Sequence, residues 1–211
     1  MIGSLTKKQL AMLLSKVNEH PEPKVSLEQY TLVSEEVSDL LWTIETAFGD
    51  ISRKVLVDLG CGTGRLAIGS ALLGASYVIG VDIDEVALRV AANSAKKLGV
   101  EDRTSWILGS VKNLNLRADV VIQNPPYGVK REGADRPFLE AALRIAPIVY
   151  SLHKSGQRNR RFLKRFIKDL DGVIDRIIPL KVTIKPIFKF HTKRSYKVDV
   201  DLYRIIRGEK T

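Results

Sequence analysis

An α/β fold built on a mostly parallel sheet is the class this sequence predicts, on three observations. Short apolar runs alternate with helical stretches from residue 54 onward. A glycine-rich turn, Asp58-Leu59-Gly60-Cys61-Gly62-Thr63-Gly64, leaves the first of those runs and opens a helix. The chain then closes on two long β-rich runs joined by a basic loop.

The elements follow in order. Thr6-Lys7-Lys8-Gln9 is a capping-box pattern, and Leu10, Leu13, Leu14 and Val17 follow it at helical spacing until His20-Pro21-Glu22-Pro23. Ser34 is the expected cap of a second helix with Val37, Leu40, Leu41, Ile44 and Phe48 as its apolar stripe. Residues 1–50 therefore read as a helical extension packed on one domain that takes up the rest of 1–211. Strands are expected at Lys54–Leu59, Tyr77–Val81, around Trp106–Leu108, at Asp119–Gln123 and at Ile148–Leu152. Helices are expected through Leu66–Leu73, from the Asp84 cap to Gly99, over Phe138–Ala146 and over Arg158–Leu170. Val173–Ile184 and Tyr196–Ile206 read as an antiparallel pair, and Trp42 and Trp106 as core residues.

Composition narrows the function classes. A single cysteine, Cys61, excludes an internal disulfide, and without a Cys/His cluster no structural metal site is expected. No apolar run approaches the roughly 18 residues of a membrane span, and the N-terminus does not read as a signal peptide, so a cytoplasmic protein is expected. Charge is uneven: residues 1–126 carry 13 Lys/Arg against 15 Asp/Glu, whereas 127–211 carry 21 against 9. A net charge of +12 confined to the C-terminal part points to a polyanion, nucleic acid first, with a solvated basic surface as the plain alternative.

The glycine turn and the acid ending the next strand, Asp82, carry the cofactor signal. Glycines at a strand-to-helix turn let the backbone approach a ligand closely, and a carboxylate at the neighbouring strand end can accept from both hydroxyls of a ribose. The spacing admits two cofactors. Gly62-x-Gly64-x-x-Ala67 satisfies a loose dinucleotide fingerprint, whereas Asp58, Gly60, Gly62 and Gly64 fit D-x-G-x-G-x-G, the pattern for S-adenosylmethionine (SAM). Arg65 stands where the stricter dinucleotide form needs glycine, which favours SAM.

Asn124-Pro125-Pro126-Tyr127 follows a strand at the same edge. Two prolines stop strand pairing and stiffen the corner. An amino group conjugated to a ring or a carbonyl is a poor nucleophile because its lone pair is delocalised. Asn124 Oδ1 and the Pro125 carbonyl can both accept from such a group and turn its lone pair toward a methyl donor, while Tyr127 offers a face for a base.

D-x-G-x-G-x-G followed by N-P-P-Y resembles class I SAM-dependent methyltransferases acting on exocyclic amino groups. That resemblance implies a Rossmann-like, mostly parallel seven-stranded sheet with helices on both faces and an antiparallel C-terminal strand. Leu27-Glu28-Gln29-Tyr30, Val81-Asp82-Ile83-Asp84, Tyr150-Ser151-Leu152-His153-Lys154-Ser155 and Phe190-His191, in order with the two motifs, narrow it. Together they are similar to the eukaryotic family that forms N6-methyladenosine in small-subunit ribosomal RNA, this chain resembling an archaeal relative.

The resemblance implies SAM contacts at Gln29, Thr31, Asp58, Gly60, Gly62, Thr63, Gly64, Arg65, Asp82, Ile83, Ser110, Val111 and Asn124. Two positions depart from the family. It often reads E-Q-Y-P-T, so Thr31 stands one place early, and many relatives carry Asp where Ser110 stands. Catalysis is expected of Asn124, Pro125, Pro126 and Tyr127, and substrate RNA contacts of Lys130, His153, Lys154, Arg158, Lys189, His191, Lys193 and Arg194. Lys130–Pro137 reads as a loop that closes over the target base. A small activating zinc-binding partner is implied by the eukaryotic relatives. Two other readings use the same residues: methylation of a protein glutamine amide, and a non-catalytic RNA-binding or assembly factor with a SAM pocket.

Overall fold

The structure is a computed structural model and describes residues 5–24, 27–128, 133–184 and 196–208. Seven strands form one sheet in the order β3-β2-β1-β4-β5-β7-β6. They are β1 (Val55–Leu59), β2 (Tyr77–Asp82), β3 (Thr104–Leu108), β4 (Val120–Gln123), β5 (Ile148–Lys154), β6 (Gly172–Ile184) and β7 (Tyr196–Arg207). Pairing is parallel from β3 through β5, and β7 is antiparallel to both β5 and β6. This is the mixed sheet of class I methyltransferases. The sequence leaves strand order open, because which strand neighbours which depends on crossovers rather than on periodicity.

Helices cover both faces: α1 (Lys7–Leu14), α2 (Ser34–Phe48), α3 (Arg65–Leu72), α4 (Glu85–Lys97), α5 (Arg136–Ile145) and α6 (Gln157–Asp169). The capping box at Thr6 and Gln9 is formed in both directions, and Asp84 Oδ1 accepts from Val86 N (3.0 Å) as the cap of α4. Several helix starts differ from expectation by one or two residues. Ser34 does not cap α2 but is its buried first residue, with Val33 at the cap and Glu35 and Glu36 favouring the positive helix end. Helix α5 starts at Arg136, two residues earlier than its apolar stripe, because Pro137 fits the first turn.

The apolar core divides by face. Leu10, Leu14, Leu41, Ile44 and Ile68 pack on one side against Leu56 and Ile122, with Trp42 and Trp106 half-buried against them. Leu139, Leu143, Leu163 and Ile167 pack on the other side against Val57, Val121 and Tyr203. Ser38 Oγ donates to Lys7 O (2.8 Å), joining α2 to α1.

One buried polar cluster binds the end of α2 to the sheet. Tyr150 Oη and Arg204 Nε both donate to Asp50 Oδ2 (2.6 and 3.0 Å), and Arg204 Nη1 donates to Asp175 Oδ2 (2.9 Å). The guanidinium also lies 4.8 Å from the centre of the Phe48 ring. Because Asp50 is buried, Arg204→Met leaves a carboxylate without its counter-charge. The expected outcome is a loss of about 3–5 kcal/mol in denaturant unfolding, the scale for breaking a buried ion pair from one side. A change under 1 kcal/mol would contradict it.

Candidate active site

The carboxyl ends of β1, β2 and β4 meet at one edge, and the segments leaving them line a cavity of about 440 Å3. That volume suits a small-molecule ligand. Its floor is the glycine turn, whose Gly60, Gly62 and Gly64 all take left-handed backbone (φ +69°, +53° and +82°). A Cβ at Gly64 would stand 2.6 Å from the Trp106 ring and 2.9 Å from Ala91 Cβ, so a side chain is excluded by packing as well as by backbone conformation. At Gly62 no atom lies within 4 Å of where a Cβ would point, leaving a cradle.

Asp82 locks the turn to β2. Gly62 N donates to its Oδ2 (2.8 Å) and Asp84 N to its Oδ1 (2.9 Å). Each oxygen keeps a further lone pair for a ligand hydroxyl. Burial pushes the Asp82 carboxyl up, and these backbone donors pull it back. Cys61 is buried in the turn, which pushes its thiol well up and leaves it unreactive.

Residues 27–32 form a wall, held by two charged groups outside their own segment. Asp84 Oδ2 accepts from Gln29 Nε2 (3.0 Å) and lies 3.1 Å from Lys24 Nζ and 3.4 Å from His20 Nε2. Burial works against the Asp84 charge, but Gln29 and Lys24 outweigh it and hold the carboxyl at about 2. Arg65 Nη1 donates to Leu32 O (2.8 Å) and Nη2 to Val17 O (3.4 Å), while burial lowers the guanidinium's pKa. Sequence reading gave Asp84 only the role of a helix cap and assigned Arg65 only to the cofactor. No spacing rule signals that either residue clamps a segment tens of residues away.

Of the expected cofactor residues, Gln29, Thr31, Gly60, Gly62, Thr63, Arg65, Asp82, Ile83, Ser110, Val111 and Asn124 line the cavity, whereas Asp58 and Gly64 do not. Ser110 Oγ also accepts from Lys112 N (3.4 Å), starting the short turn Val111–Asn113. Asp58 sits beneath the turn, where its Oδ2 accepts from Ala67 N (3.1 Å) and braces α3 against β1. Gly133, Ala134, Pro137 and Phe138 complete the lining, and Phe138 Cε1 lies 2.9 Å from the position a Gly60 Cβ would take. Neither contact had a sequence signal beyond the helix stripe.

In the Asn-Pro-Pro-Tyr corner, Asn124 and Pro126 face the cavity and Pro125 is buried. Tyr127 is half-buried against the core on the α2 side rather than in the lining, and burial, then the nearby Glu36, pushes its hydroxyl up. Asn124 Oδ1 and Thr63 Oγ1 are buried and have no hydrogen-bond partner among the described residues. Unpaired buried oxygens on a cavity wall are what a polar ligand would satisfy. With the open cradle at Gly62 and the spare lone pairs of Asp82, they make a donor and acceptor set that fits SAM.

Lys154 and Arg158 are exposed at this edge. His153, expected to flank the substrate, is instead 2% exposed, with Nε2 2.7 Å from Ser151 Oγ and Nδ1 3.2 Å from Asp135 Oδ2, because its position on β5 turns it toward α5 and α6. Lys130, Lys189, His191, Lys193 and Arg194 lie outside the described residues, as does part of the expected closing loop. Among the described residues no His/Cys/Asp/Glu group suits a metal, and no helix is long and apolar enough to cross a membrane.

Burial pushes Asp58 up to about 8, the Ala67 N–H opposing and Asp82 adding to the shift. The folded state therefore holds the Asp58 proton more tightly than the unfolded chain, whose aspartate titrates near 4. Its contribution to stability is full below about pH 4 and is lost as pH rises toward 8. Asp58→Asn keeps an acceptor for Ala67 and removes the titration. Unfolding free energy of the wild type minus that of the variant should decline across this window, and a flat difference would contradict the assignment.

The family described as ribosomal protein L11 methyltransferase (PrmA) matches residues 28–125. Protein MJ0284 of Methanocaldococcus jannaschii is 38% identical over 95% of this chain and 94% of its own length. The rRNA N(6)-adenosine-methyltransferase METTL5 of Danio rerio is 35% identical over 93% of this chain and 97% of its own. The crystal structure of PH1948 from Pyrococcus horikoshii superposes with a TM-score of 0.89 at 39% identity, covering 97% of this chain and 99% of that one. Similarity at this level, end to end and across the glycine turn, the Asn-Pro-Pro-Tyr corner and the basic C-terminal part, means that the chain belongs to the METTL5 family of rRNA N6-adenosine methyltransferases.

Proposed function

We propose that this chain transfers the methyl group of SAM to N6 of an adenine in structured ribosomal RNA. The observation that carries the reading is the orphaned Asn124 Oδ1 on the wall of a cavity floored by the glycine turn. A buried acceptor without a donor among the described residues calls for an N–H from a ligand, and an aromatic amine supplies one.

SAM, when bound, supplies an electrophilic methyl. Gly60, Gly62, Thr63 and Asp82 would hold it, with Asp82 taking ribose hydroxyls on the lone pairs its backbone donors leave free. Asn124 Oδ1 and the Pro125 carbonyl accept from the adenine amine and draw its lone pair out of conjugation with the ring. Pro125 and Pro126 fix those acceptors, so alignment provides most of the acceleration. As the N–C bond forms at the expense of the donor's S–C bond, leaving a neutral thioether, the amine releases one proton to water. No strong base is required, and Tyr127, whose hydroxyl burial holds neutral, contributes its ring as a surface for the base. The base must be unpaired or flipped out to reach this edge. The reading includes a cytoplasmic setting and the small zinc-binding activator implied by the eukaryotic relatives.

The PrmA match favours a second reading, methylation of a protein side chain such as a glutamine amide, which also presents a conjugated NH2. That match ends at Pro125 and omits β5 through β7, where the excess positive charge lies. Labelled SAM offered separately to ribosomal RNA and ribosomal proteins separates the readings. N6-methyladenosine in the RNA supports the first, label in protein alone the second, and no label a non-catalytic RNA-binding factor.

Asn124→Ala should keep SAM affinity and lower turnover at least about a hundredfold, the scale for losing a positioned polar group. Near-normal turnover would remove Asn124 from the mechanism. Lys154→Glu with Arg158→Glu should weaken RNA binding at least about tenfold in low salt. It should also flatten the dependence of log affinity on log salt by about 1.5, with SAM affinity unchanged. An unchanged slope would take these residues off the RNA path.

A further inference from the structure

A chain of polar side-chain contacts, two hydrogen bonds and a histidine–carboxylate contact, runs behind the cavity and joins two of its walls. Gln123 Nε2 donates to Ser151 Oγ (2.9 Å), Ser151 Oγ lies 2.7 Å from His153 Nε2, and His153 Nδ1 lies 3.2 Å from Asp135 Oδ2. Gln123 and Ser151 are fully buried, and His153 nearly so. At one end Gln123 directly precedes Asn124. At the other, Asp135 lies between Gly133-Ala134 and Pro137-Phe138, all four of which line the cavity.

An amide NH2 only donates, so Ser151 Oγ accepts from Gln123. The direction of the next link follows the His153 tautomer: with the ring proton on Nδ1, on the side of the Asp135 carboxylate, Nε2 accepts from the Ser151 hydroxyl. The trio has the order of a hydrolytic Ser-His-Asp triad, but Ser151 has no exposure from which to attack a substrate. The surroundings hold the ring still. Tyr203 meets it edge-on at 5.6 Å, and Asp201, its register partner on β7, is neutralised by two 2.7 Å bonds from Arg160.

We propose that His153 is a positioning residue for methyl transfer. Through Asp135 it sets the wall made by residues 133–138, and through Ser151 and Gln123 it steadies Asn124. The inference rests on the function proposed above. A wall displaced by an ångström costs rate out of proportion to stability, because transfer requires donor and acceptor in line.

Three variants test it. His153→Phe removes both bonds, His153→Gln can keep only the one to Ser151, and His153→Asn can keep only the one to Asp135. Single-turnover methylation of ribosomal RNA at saturating SAM should fall at least about tenfold in His153→Phe and His153→Gln, and stay within about threefold of wild type in His153→Asn. Asp135→Asn should lose no further rate when combined with His153→Phe. Leu163→Ala, a core truncation elsewhere on this face, should lower the thermal midpoint but keep the rate. Amide exchange over 133–145 should quicken in His153→Phe and stay unchanged over β1 and β2. Unchanged exchange there, or a rate loss no larger than that of Leu163→Ala, overturns the proposal. A wild type that leaves RNA unmethylated overturns the proposed substrate instead, while exchange still decides whether His153 holds the wall.

Discussion

Everything at the functional edge depends on a backbone that bends left-handed three times within five residues. The bend from Gly60 to Gly64 is held from three directions. Gly60 N donates to Val81 O (2.8 Å), Gly62 N to Asp82 Oδ2 (2.8 Å) and Gly64 N to Cys61 O (2.9 Å). Trp106 fills the space beneath Gly64 and Gly80, where a Cβ would meet the indole at about 2.5 Å. The indole on β3 and the glycines on the two neighbouring segments thus form one packing unit, and the cavity floor is rigid because the core beneath it has no room to move.

Much of this was legible in residue order. Strand and helix positions follow from periodicity, and the turn and the Asn-Pro-Pro-Tyr corner follow from residues that only special backbone requires. Features that arise where distant segments meet were not legible. Asp58 belongs to the cofactor pattern by spacing, yet it braces α3 through Ala67, because alternation along β1 turns it into the protein. His153 sits in a polar segment that reads as substrate-facing, yet its partner Asp135 comes from a loop before another helix. The clamp on residues 27–32 is hidden for the same reason: Asp84 and Arg65 have complete local explanations.

Charge counting shows the same limit. The basic run in α6 suggests a uniform polyanion surface, and Arg158, Arg161, Lys164, Arg165 and Lys168 are indeed exposed. Arg160 is different. Its two 2.7 Å bonds to buried Asp201 commit it to the fold, since leaving that carboxylate alone in the core would be costly. A cation paired with a buried anion attracts no phosphate, so the number of basic residues in α6 overstates the surface available to RNA.

Burial has an opposite consequence inside the site. It raises the Asp58 carboxyl to about 8, so the acid beneath the glycine turn is largely uncharged at neutral pH. In the proposed reaction positive charge passes from sulfur to nitrogen and is most spread out midway. Fixed neutral acceptors such as Asn124 Oδ1 suit this better than a carboxylate would. They orient the amine without becoming protonated, and so the amine's lone pair stays available to the methyl group.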